Sequence, residues 1–385
     1  MKILVDENIP AAQACFGQLG EVVRMPGRHL TAADVRDADA LIVRSITRVT
    51  PALLNGSKVR FVGTATIGVD HIDLDYLRSS GIAFASAPGC NAQSVAEYVM
   101  TALLELEASR GLNLRAKSVG IFGLGNVGSR MKTLCEAFGL QVLACDPPLQ
   151  AQGVGGLVSA DEVWQADIVT FHVPLQKDGL HPTYHLANEQ RLRALKPDAV
   201  LINTARGDVV DNRALSRVLQ DRSDLSVVLD VWENEPLIDV ELAGRVDIAT
   251  PHIAGYSHDG KVRGTWMIYR ALCEFLQLPV TVSEAELIPA SLQCVLNLQA
   301  LPNPAALTAR DLVRQTYPIL VDDQALRASL LQGPEQRALT FDGLRKHYPV
   351  RREFASVLLQ GLEQVSQLQS GDEGGRLRAL GFRLG

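Results

Sequence analysis

The turn Gly123-Leu124-Gly125-Asn126-Val127-Gly128 is the densest piece of possible chemistry in the chain. A G-x-G-x-x-G spacing gains meaning only from its surroundings. Here a buried-strand pattern, Ser118–Phe122, precedes it. A helical pattern, Ser129–Phe138, follows, and then a second strand pattern, Gln141–Cys145, that stops at Asp146. Strand, turn, helix, strand and carboxylate come in the order of a dinucleotide-binding unit. The glycines permit a tight turn and let a pyrophosphate approach the helix N-terminus, whose free N–H groups favour an anion. Asp146 can accept hydrogen bonds from the adenosine ribose and would repel a 2′-phosphate, so NAD is expected rather than NADP.

In an open α/β sheet, ligands bind beyond the carboxyl ends of the strands, so the residues just after each strand pattern matter most. Arg206 follows the pattern Ala199–Ile202. Asp230, Glu233 and Glu235 follow Ser226–Leu229. His252 and Gly255 follow Asp247–Ala249, and His172 and Val173 follow Ile168–Phe171. An arginine, carboxylates and a histidine thus come from three strand ends of one sheet.

The elements that must position them alternate in type. Strand candidates Lys2–Val5, Glu21–Met25, Ala40–Val43, Phe61–Thr64 and Ala83–Ala85 suggest a small α/β domain before residue 90. A helix from about Asn91 to Gly111 follows, with Ser94 and Glu97 spaced for a capping box and one apolar face. The dinucleotide domain then reads as a doubly wound parallel sheet. A second long helix, Ser257 to Leu278, leads back to the first domain, making that domain discontinuous. Beyond it, Ser291–Gln299 alternates polar and apolar residues like a half-exposed strand. Short helices are expected from about Thr308, Asp322, Thr340 and Arg352, in a third, appended α+β domain. The boundaries are 1–93 with 258–284, then 94–257, then 285–385.

Composition narrows the class. Of 385 residues, 47% are hydrophobic and 21% charged, as in ordinary globular proteins. A formal net charge of -6 offers no general attraction to nucleic acid or to an anionic membrane. No apolar run approaches a transmembrane length, and the acids of Met1–Glu7 break any signal-peptide pattern. Six cysteines without a C-x-x-C pair read as free thiols in a reducing cytoplasm. His181 and His185 are separated by Pro182 and have no acidic neighbour in sequence, so no metal site is expected.

The glycine turn and the strand-end motifs together resemble the family of NAD-dependent D-2-hydroxyacid dehydrogenases, over residues 1 to about 280. The resemblance implies Arg206 as the substrate-binding arginine, His252 as the acid–base and Glu235 as its partner. It implies cofactor contacts from Gly123, Gly125, Asn126, Val127, Gly128, Asp146, Val173, Asp230 and Gly255, with Asp230 on the nicotinamide carboxamide side. Val173 stands where relatives often have threonine, so a contact there would use backbone atoms. The Thr66–Val69 loop would offer N–H groups to a substrate carboxylate. Oxidising a secondary alcohol removes a proton from oxygen and a hydride from carbon, and those residue types suit the task. An arginine can hold a carboxylate or polarise the C2 oxygen.

Further stretches narrow the resemblance to a branch of that family acting on a phosphorylated four-carbon hydroxy acid. They are Met1–Pro10, Val43–Thr47, Gly63–Asp73, Gly255–Ser257 and Phe341–Glu353, and the resemblance then covers nearly the whole chain. It implies Ser45, Thr66 and Tyr256 as substrate contacts, and a tail that makes a homodimer. A phosphate also needs cations, and Arg44 and Arg48 follow an N-terminal strand beside Ser45. The basic run Arg345, Lys346, Arg351 and Arg352 reads instead as an exposed or interface feature. Two alternatives stand beside this reading: a dehydrogenase for another acid, such as phosphoglycerate or glycerate, and an NAD-sensing interaction protein of the same fold.

Overall fold

Apolar runs short enough to be strands, each closed by a polar or glycine turn, build two parallel sheets of the expected kind. The computed structural model describes residues 1–289, 292 and 294–385. The chain divides into two compact units, Met1–Asn91 with Ser257–Gln293, and Ala92–Tyr256 with Cys294–Gly385.

In the first unit, β1 (Lys2–Asp6), β2 (Glu21–Met25), β3 (Ala40–Val43), β4 (Phe61–Thr64) and β5 (Ala83–Ser86) lie in the order β2-β1-β3-β4-β5. Every pairing is parallel. The central strands are apolar on both faces because both are covered. Ile3 and Val5 face one cluster and Leu4 the other, and Ala40 and Ile42 alternate with Leu41 and Val43 in the same way. The helix His258–Phe275 covers one face, with the Ser257 hydroxyl accepting from Gly260 N–H as its cap. It packs so closely that a Cβ on Gly63 would sit 2.4 Å from Ile268 Cγ2.

The second unit holds β6 (Ser118–Phe122), β7 (Gln141–Cys145), β8 (Ile168–Phe171), β9 (Val200–Asn203), β10 (Ser226–Leu229) and β11 (Ile248–Ala249). Their order is β11-β10-β9-β8-β6-β7, again wholly parallel. The chain runs outward from β6 to β7, then crosses back to place β8 on the other side of β6. That reversal opens a crevice beyond the ends of β6 and β8, the place where such sheets bind ligands.

The tail departs from expectation in its relation to this unit. It has its own parallel sheet, β12 (Cys294–Asn297), β13 (Val357–Gln360) and β14 (Arg383–Leu384), in the order β12-β13-β14. The strand expected over Ser291–Gln299 is seen from Cys294 onward; Ser291 and Gln293 lie outside the described residues. The α-helices are Ala309–Thr316, Ile319–Leu330, Pro334–Lys346, the short Ser366–Gln369 and Gly371–Leu380, so the helix expected at Arg352 is instead a 3-10 turn leading into β13. Leu312, Val313, Phe354, Leu359 and Leu377 share one hydrophobic cluster with the helix Ala92–Arg110 and with Val119 and Ile121 of β6. The tail and the dinucleotide sheet therefore share a core.

That shared core explains why the helix Ala92–Arg110 is buried on every side and not on one face only. Ser94 and Glu97 do not form the expected capping box. The Ser94 hydroxyl donates to Glu353 at 2.9 Å, and Glu97 Oε1 accepts from Gln93 Nε2 and from Phe354 N–H, each at 3.0 Å. Burial pushes the Glu97 carboxyl up to about 8, against the pull of Arg351. On the next turns, Glu105 pairs with Arg314, and Glu107 with Arg376 at 2.7 Å. Among the described residues no helix is long and apolar enough to cross a membrane.

Candidate active site

The glycine turn leaves β6 directly into the helix Asn126–Ala137. Gly123 has φ +86°, and a Cβ there would meet the His172 carbonyl oxygen at 2.7 Å. A Cβ on Gly128 would lie 1.9 Å from the Gly123 carbonyl oxygen. Around Gly125, by contrast, there is open space for 4 Å. Only hydrogen fits at the first and last positions, and the middle one leaves the backbone bare. No side chain caps the helix at Gly125, so its first N–H groups remain for an anion. This cradle fits a dinucleotide pyrophosphate. Asn126 is exposed, Val127 is half-buried, and Val173 borders the turn from the loop after β8, where its Cγ1 would be 2.9 Å from a Gly123 Cβ.

Asp146 directly follows β7 and is already engaged. Its Oδ2 accepts from Leu124 N–H at 2.8 Å and its Oδ1 from Leu149 N–H at 3.1 Å. It thereby shapes the glycine turn, and each oxygen keeps lone-pair capacity for a ribose hydroxyl. Burial pushes His172 down to about 3, so this histidine is a neutral packing group beside the turn.

Across the same sheet, the ends of β9, β10 and β11 carry the polar residues. Asn203 is fully buried, donates from Nδ2 to the Arg206 carbonyl at 2.8 Å, and accepts from Ala205 N–H at 3.1 Å. These bonds pin the turn that presents Arg206, whose Nη1 donates to the Ala205 carbonyl at 2.8 Å. A Cβ on Gly207 would lie 2.0 Å from the Trp232 carbonyl, so this turn abuts the segment leading to Glu235.

Asp230 organises the loop that bears His252. Its carboxylate is 1% exposed, and it accepts from Thr250 Oγ1 at 2.6 Å, Ile253 N–H at 2.7 Å and Ala254 N–H at 2.9 Å. Its carbonyl accepts from His252 N–H at 2.7 Å. Burial raises the carboxyl above its usual range, although His252 and the three donors oppose the rise. His252 itself has φ +57°, a left-handed conformation that a side-chain-bearing residue holds only when its surroundings insist. The bonds to Asp230 supply that insistence. Gly255 and Tyr256 close the turn, with Tyr256 N–H donating to the Ile253 carbonyl at 2.8 Å.

His252 Nδ1 lies 2.8 Å from Glu235 Oε2, while Glu235 Oε1 accepts from Trp232 N–H at 2.9 Å. Burial alone would raise Glu235. The charge and hydrogen bond of His252, the Trp232 N–H and the more distant Arg345 outweigh it and hold the carboxyl below its usual range. Glu235 is therefore ionised at neutral pH and accepts a proton-bearing Nδ1, which leaves Nε2 as the proton acceptor. The imidazole side chain is 34% exposed, enough for a substrate to reach.

Two of the four tail cations overturn the surface reading. Arg351 is buried, with Nη1 donating to the Ala254 carbonyl at 3.2 Å and Nη2 to the Ser94 carbonyl at 2.6 Å. Its guanidinium stacks 3.8 Å from the Tyr317 ring centre. Arg345 is half-buried beside Tyr256, which also meets Tyr348 edge-on at 5.8 Å. Lys346 alone is fully exposed, and Arg352 is half-buried. Charge runs say nothing about which members a tertiary core will enclose.

In the first unit, Arg44 and Ser45 follow β3 and Thr66 follows β4. Thr66 Oγ1 donates to the Gly68 carbonyl at 3.0 Å and lies 2.8 Å from Thr64 Oγ1. Lys261, which the sequence patterns did not single out, stands near Arg44. Burial and then the Arg44 charge bring its ammonium down to about 8. His185 also gains acidic neighbours that its sequence context lacks. Its Nε2 is 2.7 Å from Glu233 Oε1 and its Nδ1 3.7 Å from Asp211 Oδ2. Glu233 Oε2 accepts from Asn212 N–H at 3.1 Å, so the trio braces neighbouring loops.

Fold and site together define an NAD-dependent dehydrogenase of the D-2-hydroxyacid class. Residues 91–254 match the family model of the D-isomer specific 2-hydroxyacid dehydrogenase NAD binding domain, and residues 291–370 match a domain of unknown function. A D-lactate dehydrogenase structure from Aquifex aeolicus, complexed with NAD and lactic acid, has a TM-score of 0.59 and 27% identity, covering 74% of this chain and 97% of that one. The NAD-bound 3-phosphoglycerate dehydrogenase of Entamoeba histolytica has a TM-score of 0.62 and 25% identity, covering 74% and 98%. Erythronate-4-phosphate dehydrogenase of Azotobacter vinelandii is 48% identical, over 100% of this chain and 99% of its own length. That of Pseudomonas syringae pv. tomato is 48% identical over 99% of each. The chain belongs to the erythronate-4-phosphate dehydrogenase family.

Proposed function

We propose that this protein oxidises the C2 hydroxyl of 4-phospho-D-erythronate to 2-oxo-3-hydroxy-4-phosphobutanoate, a step in the formation of pyridoxal phosphate (vitamin B6). The observation that carries this reading is the Glu235–His252 pair, held at 2.8 Å beyond the same sheet that carries the glycine cradle. Bound NAD supplies the hydride acceptor for C2. Gly123, Gly125, Asn126, Val127 and Gly128 would hold its pyrophosphate, Asp146 its ribose, and Val173, Asp230 and Gly255 the nicotinamide side.

His252 Nε2 takes the proton from the C2 hydroxyl as the C2–H bond gives up its electron pair. Glu235 stabilises the imidazolium that forms. Arg206 holds the substrate carboxylate or the C2 oxygen, keeping C2 in line for transfer. Ser45, Thr66 and Tyr256 are read as further substrate contacts, and Arg44 as a cation for the same ligand.

The test is NADH formation with purified protein and a series of hydroxy acids. 4-Phospho-D-erythronate is expected to exceed D-erythronate in kcat/KM by on the order of a hundredfold or more, because a site built for a charged group rejects its absence. Equal turnover of the two acids would refute the phosphate-specific reading. Faster turnover of 3-phosphoglycerate would move the protein to another substrate.

The same reading makes the protein a cytoplasmic homodimer. Its free cysteines suit a reducing compartment. Several large apolar side chains of the tail are exposed, Leu331 at 92% and Leu339 at 67% among them, and exposed apolar surface favours association. Light scattering of the full chain should return twice the chain mass, and Leu339→Lys should shift it toward one. A monomer at every concentration would discard the dimer.

A further inference from the structure

We propose that Arg345 of the tail binds the substrate phosphate, with Tyr256 as its companion donor. The inference deepens the phosphorylated-acid reading above and rests on it.

The helix Pro334–Lys346 is anchored before it reaches Arg345. Phe341 is buried, and Leu344 packs against it, in the cluster that contains Trp232, Ile238 and Ala249. Trp232 and Ile238 lie in the segment after β10 that carries Glu235, and Ala249 ends β11 just before the loop that carries His252. The anchoring therefore sets the position of Arg345 relative to the reacting groups.

The guanidinium carbon lies 5.9 Å from the centre of the Tyr256 ring. The Nε atom is buried and has no hydrogen-bond partner among the described residues. A buried N–H left without an acceptor costs stability, and functional sites are where such costs are kept. Glu235, whose two oxygens accept from His252 and from Trp232 N–H, makes no hydrogen bond to this Nε. Burial disfavours the charged guanidinium, but Tyr256, then Glu235 and Asp342, outweigh it and hold Arg345 above its usual range.

A planar guanidinium beside a phenol hydroxyl presents several donors, which suits a phosphate dianion. In the proposed substrate the phosphate lies two carbons past C2, at the end opposite the carboxylate. Arg206 and Arg345 would then hold the two anionic ends of one substrate, with His252 between them.

A different role would be electrostatic, with Arg345 only tuning the Glu235–His252 pair. The two roles separate in kinetics. Arg345→Ala and Arg345→Lys would be assayed with 4-phospho-D-erythronate and with D-erythronate, across the pH profile. For Arg345→Ala the preference for the phosphorylated acid should fall about 10- to 100-fold, mostly through KM, as for loss of a charged hydrogen bond. Arg345→Lys should lie between, since it keeps the charge and loses the fork. Inorganic phosphate should inhibit the parent protein competitively and the alanine variant more weakly. Equal losses for both acids, or a displaced pH profile with KM unchanged, would overturn the proposal. Should Arg345→Ala fail to fold, the lysine variant alone decides, because an unchanged preference there with phosphate inhibition as strong as the parent's rules out the fork. If the parent itself shows no preference for the phosphorylated acid, it is the substrate reading that fails, and the two failures are distinct.

Discussion

His252→Ala is expected to lower kcat by about 10²- to 10⁴-fold, the usual worth of a positioned general base, while NAD affinity stays nearly unchanged. The expectation follows from the division of labour at the strand ends. NAD is read as held by the turn after β6 and by Asp146, none of which depends on the imidazole. The imidazole is instead committed through Nδ1 to Glu235, leaving Nε2 for the substrate. Glu235→Gln should show a smaller loss of the same kind, since an amide keeps the distance but removes the counter-charge for the imidazolium. In the parent protein Glu235 is held below the usual carboxylate range, so it stays charged as pH falls through mildly acid values. Any activity limb caused by its protonation should therefore lie below the ordinary carboxylate pKa. Stopped-flow turnover and cofactor fluorescence would measure both quantities. Turnover of His252→Ala close to that of the parent would remove the acid–base assignment.

Arg206→Ala should reduce kcat/KM by on the order of 10³-fold, and Arg206→Lys by less, because an ammonium keeps charge but cannot grip a carboxylate with two parallel bonds. Little of this loss should come from misfolding. The turn is fixed by the Asn203 side-chain amide bonding backbone groups and by the close approach of Gly207 to Trp232, and neither uses the Arg206 side chain. Thermal midpoint and NAD affinity are the controls. If both variants kept the parent kcat/KM, Arg206 would be a structural residue and the substrate carboxylate would need another partner.

Much of this molecule was open to reading before any tertiary contact was known, and the reason is locality. The apolar runs that became β1 to β11 are short, contiguous and bounded by turn residues, so their existence needed no partner to reveal it. The glycine turn, Asp146 and the strand-end residues Arg206, Glu235 and His252 are defined by their offset from those runs. A parallel sheet then brings all strand ends to one edge.

What needed the tertiary structure was non-local. The resemblance implied Asp230 on the nicotinamide side, and only the folded loop shows that its carboxylate also accepts from Thr250, Ile253 and Ala254. Ser94 and Glu97 had capping-box spacing, yet the tail claims both side chains, because a buried helix offers its polar groups to whatever covers it. The strand β13 was missed because its partner is far along the chain, with Cys294 beside Val357. The basic run from Arg345 to Arg352 carries no mark that separates surface from interior. Arg351 is buried and Arg345 stands at Tyr256 because a hydrophobic core shared by the tail and the dinucleotide sheet drew the segment inward. Patterns along the chain thus determined the class and the candidate reacting groups, whereas burial, a property of the whole packed unit, decided which tail side chains lie inside.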